Sequence, residues 1–154
     1  MPTFLTHSAK ETQALGLLLA KELRGGEIIC LDGELGAGKT TFTQGLLKEL
    51  GIKGPYTSPT FVIMKHYEHG TPSVKRRTLR TPRSTFHDIY HIDAYRIGPS
   101  DLLQLGWSEI TTDPQAVVIV EWSDRIKKIL PKKLLRIKFS WVDDKERRLE
   151  FSQK

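Results

Sequence analysis

Between Gly33 and Thr41 the chain places glycines at 33, 36 and 38, a lysine at 39 and hydroxyls at 40 and 41. Gly33-Glu34-Leu35-Gly36-Ala37-Gly38-Lys39-Thr40 satisfies the phosphate-loop spacing G-x-x-x-x-G-K-[ST]. Glycines at 33, 36 and 38 let backbone amides turn toward phosphate oxygens with no side chain in the way, a following helix adds the positive end of its dipole, and Gly36, Ala37 and Gly38 are expected to bind the nucleotide. Lys39 then reaches the β and γ phosphates, Thr40 offers a hard hydroxyl oxygen to Mg2+, and Thr41 stands nearer the α phosphate. The chemistry implied is capture of a nucleoside triphosphate with magnesium. No NKxD-type guanine-reading motif is present, which points to ATP rather than GTP.

Such a loop needs acidic partners. Glu121 follows the apolar run Val117-Val118-Ile119-Val120 and so emerges at the carboxyl end of a buried strand, where a magnesium-associated carboxylate belongs. A lone acid at a strand end is often a surface charge; the phosphate loop raises the functional reading, although aspartate is the commoner residue there. Asp93, in His91-Ile92-Asp93-Ala94-Tyr95-Arg96, is the third candidate, to order the attacking water or a magnesium-bound one. His87, Asp88, His91 and Asp93 also raise a separate metal site, but without a demonstrated third ligand.

The elements that must carry these residues are legible from periodicity. Ser8-Ala9-Lys10-Glu11 has capping-box spacing, and Leu15, Leu18, Leu19 and Leu23 recur at helical intervals until Gly25-Gly26. The first element is therefore expected to be an amphipathic helix. Glu27 to Leu31 reads as a buried strand and Thr40 to Leu50 as a helix ended by Gly51, so the loop is bracketed strand, turn, helix. Ser58-Pro59-Thr60 is expected to be an ordered turn, Phe61 to Tyr67 and Phe86 to Tyr95 strands, and Ser100 the cap of a brief helix through Leu105. Ala116 to Val120 is a central strand. Alternation through Leu135, Ile137, Phe139 and Trp141, then Leu149 and Phe151, predicts a closing antiparallel hairpin. The fold class is α/β: a single-domain P-loop NTPase over residues 1–154, with a mixed β-sheet flanked by helices and a C-terminal β-hairpin.

Composition adds exclusions. Cys30, the only cysteine, lies in an apolar run, which rules out an intrachain disulfide and a zinc cluster. No segment has the pattern of a signal peptide or membrane span, so a cytoplasmic location is expected. The formal charge of +6 is concentrated in Lys75, Arg76, Arg77, Arg80 and Arg83, within residues 69–84, expected to be a basic mobile insertion. That cluster is either solvated loop surface or a contact for tRNA or another acidic partner.

The motifs GELGAGKTTF at 33–42, SPTF at 58–61, HIDAYR at 91–96 and VVIVEW at 117–122 together resemble one family, the tRNA threonylcarbamoyladenosine biosynthesis ATPase, TsaE. The similarity runs from the helix at Thr12 to about Pro131. It implies an ATPase that supports a heterodimer of TsaB and TsaD type proteins, which makes threonylcarbamoyladenosine next to the anticodon of certain tRNAs. By this resemblance Lys39 and Thr40 match the phosphate and magnesium residues and Glu121 the second magnesium-associated acid. Asp93 matches an essential aspartate, Thr12 a residue near the nucleotide, and Ser58, Pro59 and Thr60 the switch that senses the γ phosphate. The basic stretch at 69–84 is longer than the family's usual connection. Trp122 reads as packing or as a member of the site. Two other readings stay open: a small P-loop kinase acting on a metabolite, and a nucleotide-gated binding module. With no internal arginine finger evident, hydrolysis by the isolated chain is expected to be slow.

Overall fold

The computed structural model describes residues 2–68 and 86–153. The expected insertion at 69–84, with Lys75, Arg76, Arg77, Arg80 and Arg83, lies outside them.

The chain opens on a strand, β1 (Thr3–Thr6), where a helix was expected to come first. Its residues are exposed except Thr6, so it shows no core-facing alternation, and only pairing with the last strand reveals it. Helix α1 (Ala9–Glu22) follows, with the Ser8 hydroxyl accepting from the Glu11 amide at 3.2 Å. The return half of the cap is displaced by one residue, because the Glu11 carboxylate accepts from the His7 amide. The buried stripe also differs from the leucine pattern. Thr12, Gly16 and Ala20 face inward, Leu15 and Leu19 flank them, and Leu18 is 56% exposed.

The reason is the second helix, α2 (Lys39–Glu49), packed against α1 at glycine contacts. A Cβ at Gly16 would strike the Phe42 carbonyl oxygen, and one at Gly45 the Gln13 carbonyl oxygen. Small residues therefore occupy the seam, and the leucines are pushed to its edges.

The remaining strands are β2 (Ile28–Gly33), β3 (Met64–Glu68), β4 (Asp88–Asp93), β5 (Ala116–Glu121), β6 (Leu135–Trp141) and β7 (Arg147–Gln153). Among the described residues the strands form one seven-stranded sheet in the order β1-β7-β6-β2-β5-β4-β3. Its middle, β6-β2-β5-β4, is parallel, and β3, β7 and β1 pair antiparallel on the outside, which makes the mixed sheet that the hairpin alternation requires. Every residue of β5 is buried, as its unbroken apolar run predicts.

Two layers cover the sheet. Ile29, Leu31, Val117, Ile119 and Ile137 meet α1 and α2 on one face. Ile28, Cys30, Val118 and Val120 meet the other, where α3 (Pro99–Gln104) and α4 (Trp107–Thr112) bring Leu102 and Trp107. Helix α3 begins one residue ahead of the expected Ser100 cap. Pro99 has its φ preset for a first helical position, and the Asp101 carboxylate takes the Gly98 amide at 2.8 Å. Helix α4 has only six residues and three of them are Ser or Thr, a weak helical signal; Trp107 anchors it by burial and by donating Nε1–H to the Ile129 carbonyl. Phe61 to Ile63 form a turn instead of starting β3, because the Pro59 carbonyl accepts both the Val62 and Ile63 amides.

Candidate functional site

The parallel strands β2, β5 and β4 end together, so their last residues share one rim of the sheet. In register, Leu31 lies beside Glu121 and Glu121 beside Asp93. At that rim β2 passes through Gly33 into the glycine-rich loop and then α2. Gly38 stands at φ 105°, a conformation costly for any residue with a Cβ, and this turn lets the helix start at Lys39. The first intrahelical bond runs from the Phe42 amide to the Gly38 carbonyl. The amides of Lys39, Thr40 and Thr41 thus precede the helical ladder and form the anion-seeking end of α2. The Ala37 amide is turned back to the Glu34 carbonyl, and its methyl sits in the core.

The four chemical side chains meet. Thr40 Oγ1 lies 3.4 Å and 3.5 Å from the two carboxylate oxygens of Glu121. Lys39 Nζ donates to the carbonyls of Gly33 and Glu34, and it stands 4.0 Å from the Trp122 ring centroid. Burial holds the Lys39 ammonium below the ordinary lysine range, while Glu121, Asp93, Asp32 and Asp124 pull it back up. Asp93 Oδ2 accepts from Ser58 and Thr60, and its Oδ1 accepts the Tyr95 amide. These groups line a cavity of about 190 Å³ between the loop, the Ser58-Pro59-Thr60 turn and the ends of β4 and β5. Among the described residues no arginine lines it.

A second cavity of about 380 Å³ continues from the first along Gly36, Gly38 and Thr41, and reaches Thr12, Lys145 and Arg147. Thr12 is buried, with its hydroxyl 2.8 Å from that of Thr6. The C-terminal hairpin packs on this side, because β6 is the parallel neighbour of β2 and Arg147 Nε donates to the Gly36 carbonyl at 3.3 Å. Both hairpin strands therefore brace the glycine-rich loop.

Hard oxygen donors at Thr40 and Glu121, an ammonium and a row of free amides suit a polyphosphate with a divalent cation. The separate metal site is not formed: among the described residues no group of three or more His, Cys, Asp or Glu side chains is arranged to hold an ion. His91 turns to Glu121, Asp88 to His66, and Asp93 to the hydroxyls of Ser58 and Thr60.

A family model, threonylcarbamoyl adenosine biosynthesis protein TsaE, matches residues 6–149. The chain belongs to the TsaE family. The match takes in β6 and the first residues of β7, beyond the stretch that the four motifs span. The tRNA threonylcarbamoyladenosine biosynthesis protein TsaE of a Nostoc species is 35% identical over 147 residues, covering 93% of this chain and 80% of its own. The protein of that name from Bacillus subtilis is also 35% identical, covering 96% and 82%. Among solved structures, that of Bacillus subtilis YdiB superposes with a TM-score of 0.72 at 30% identity, across 99% of this chain and 84% of that one.

Three contacts of this TsaE chain lie beyond what motif reading supplies. Trp122 has φ 62°, which turns its ring under Lys39 and to within 4.9 Å of the Tyr95 ring centroid, so packing alone does not describe it. The Asp32 carboxylate accepts from Ser123, the Asp124 amide and Arg136 at 2.6 to 3.1 Å. It thereby pins the short 3₁₀ turn Ser123–Ile126, which fixes where Trp122 stands. His91 meets Glu121. The sequence signal for the first was its place after Glu121 at the end of VVIVEW; Asp32 and Arg136 lie 104 residues apart and carry none.

Proposed function

We propose that this chain binds MgATP and hydrolyses it slowly, in support of a complex that makes threonylcarbamoyladenosine in tRNA. The observation that carries the reading is the meeting of Thr40 and Glu121 beside a buried Lys39. The names of the relatives supply the pathway.

In this reading the amides opening α2 and the Lys39 ammonium take the β and γ phosphates, and Thr41 faces the α phosphate. Thr40 and Glu121 hold Mg2+, which neutralises phosphate charge when bound. Both side chains fit it, since it needs few protein ligands when phosphate oxygens and water supply the rest. The base and ribose extend into the larger cavity past Thr12, toward Lys145 and Arg147. Asp93 orders the attacking water once Ser58 and Thr60 move from its carboxylate to the γ phosphate. With no arginine lining the phosphate cavity among the described residues, charge building up in the transition state lacks one stabiliser, and a partner must complete the site. The partner is a heterodimer of TsaB and TsaD type, with Lys75, Arg76, Arg77, Arg80 and Arg83 offered to tRNA phosphates.

Phosphate release is to be measured for the chain alone, with the heterodimer, and with heterodimer plus tRNA. Slow basal turnover that rises with the heterodimer and tRNA supports the proposal. Fast phosphorylation of a metabolite by the chain alone would replace it with a kinase, and nucleotide binding without partner-dependent turnover with a gated module.

A further inference from the structure

His91 is a polar side chain buried within β4, two residues before the strand's end at Asp93. Strand β4 turns Ile89, His91 and Asp93 toward the α1 and α2 layer, and β5 turns Val117, Ile119 and Glu121 the same way. In register His91 lies opposite Ile119, one step inside the pair Asp93 and Glu121. From there its ring reaches diagonally to the strand end. Nε2 lies 2.8 Å from Glu121 Oε1, with the two side chains 2% and 3% exposed.

A carboxylate that ligates a cation only accepts hydrogen bonds, so in that role of Glu121 the facing imidazole nitrogen supplies the hydrogen. The other nitrogen, Nδ1, is buried and has no hydrogen-bond partner among the described residues. That orphan costs stability, and an apolar residue on this face would avoid it. Among the described residues the contact to Glu121 is the one hydrogen bond that compensates it. It engages the carboxylate from the core side, while Thr40 Oγ1 stands 3.4 Å and 3.5 Å from the two oxygens.

We propose that His91 is a positioning residue for the magnesium carboxylate: its Nε2–H holds Glu121 in the rotamer that faces Thr40. This rests on the reading of the site as one for a magnesium nucleotide. Carboxylates that ligate metals are commonly held in place by an outer hydrogen bond, and its loss costs about 10- to 100-fold in metal affinity.

The test is calorimetry with ADP, with and without Mg2+, on wild type, His91→Leu and His91→Gln. The leucine variant should bind ADP in EDTA as wild type does but lose about tenfold or more of the magnesium-dependent gain. The glutamine variant, whose amide N–H can reach the same oxygen, should recover much of it. A leucine variant with the full magnesium gain would overturn the role of His91 and leave the nucleotide reading intact. Wild type that gained nothing from magnesium would overturn both. Imidazole nitrogen NMR on the wild type stands apart from any folding defect in the variants: a hydrogen on Nε2 whose resonance moves in Glu121→Gln supports the contact, and a hydrogen on Nδ1 alone refutes it.

Discussion

Thr60 Oγ1 donates to Asp93 Oδ2 over 2.6 Å, and Ser58 Oγ reaches the same oxygen at 3.0 Å. The Ser58-Pro59-Thr60 turn is thus latched onto the acid that the proposed chemistry requires. Asp93→Asn places an amide donor where two hydroxyls now donate. Stability should drop by about 1–3 kcal/mol. The Val62 and Ile63 amides, held by the Pro59 carbonyl, should exchange faster. Turnover should fall about a hundredfold, while ADP affinity changes little. A variant that hydrolyses ATP at the wild-type rate would remove Asp93 from the chemistry.

Lys39 supplies a pH signature. Its folded pKa is lowered by burial, so between that value and the ordinary lysine range the unfolded chain holds the additional proton. Stability contributed by this residue therefore rises with pH across that alkaline window. Urea unfolding of wild type and Lys39→Met at neutral pH and at about pH 10 isolates the effect. The difference must shift in favour of wild type as pH rises; a flat difference would mean that the surrounding carboxylates cancel the burial.

Cys30 should be silent. Its thiol is fully buried in the central strand β2, and burial pushes its pKa up to about 11. At pH 8 only about one such thiol in a thousand is ionised, so native protein should give no reaction with a thiol reagent and one equivalent after unfolding. Labelling of native protein would reveal an opening of β2, the strand that leads into the glycine-rich loop.

The glycine seam between α1 and α2 ties stability to the site. Gly45→Ala sets a methyl against the Gln13 carbonyl, a backbone atom that cannot yield alone. The cost should be about 1–3 kcal/mol or more, read by urea unfolding, with weaker nucleotide binding because α2 begins at Lys39. Leu18→Ala on the exposed face of α1 should stay within about 0.5 kcal/mol.

Much of the site was legible because it is local. Strand, glycine turn and helix follow one another within Ile28–Glu49, so the positions of Lys39, Thr40 and Thr41 relative to the loop needed only neighbouring residues. The rim position of Glu121 followed from an apolar run too continuous to be anything but a buried strand. Strand β1 was illegible because it is exposed and borrows its order from β7. The Phe61 to Ile63 turn was misread as strand because apolar, β-branched content there reflects neither burial nor extension: Phe61 is 84% exposed.

By itself the sequence determined the glycine-rich strand-turn-helix, the acids at 93 and 121 as candidates and the α/β class, since each depends on short-range spacing and hydrophobic period. Only the tertiary structure decided what each side chain touches. Strand order brings β4 beside β5, and that neighbourhood gives Glu121 its histidine and Asp93 its latch. It also lays the C-terminal hairpin against the loop and sets Trp122 under Lys39. Contacts of this kind join residues tens of positions apart through hydrogen bonds and packing that no local periodicity encodes.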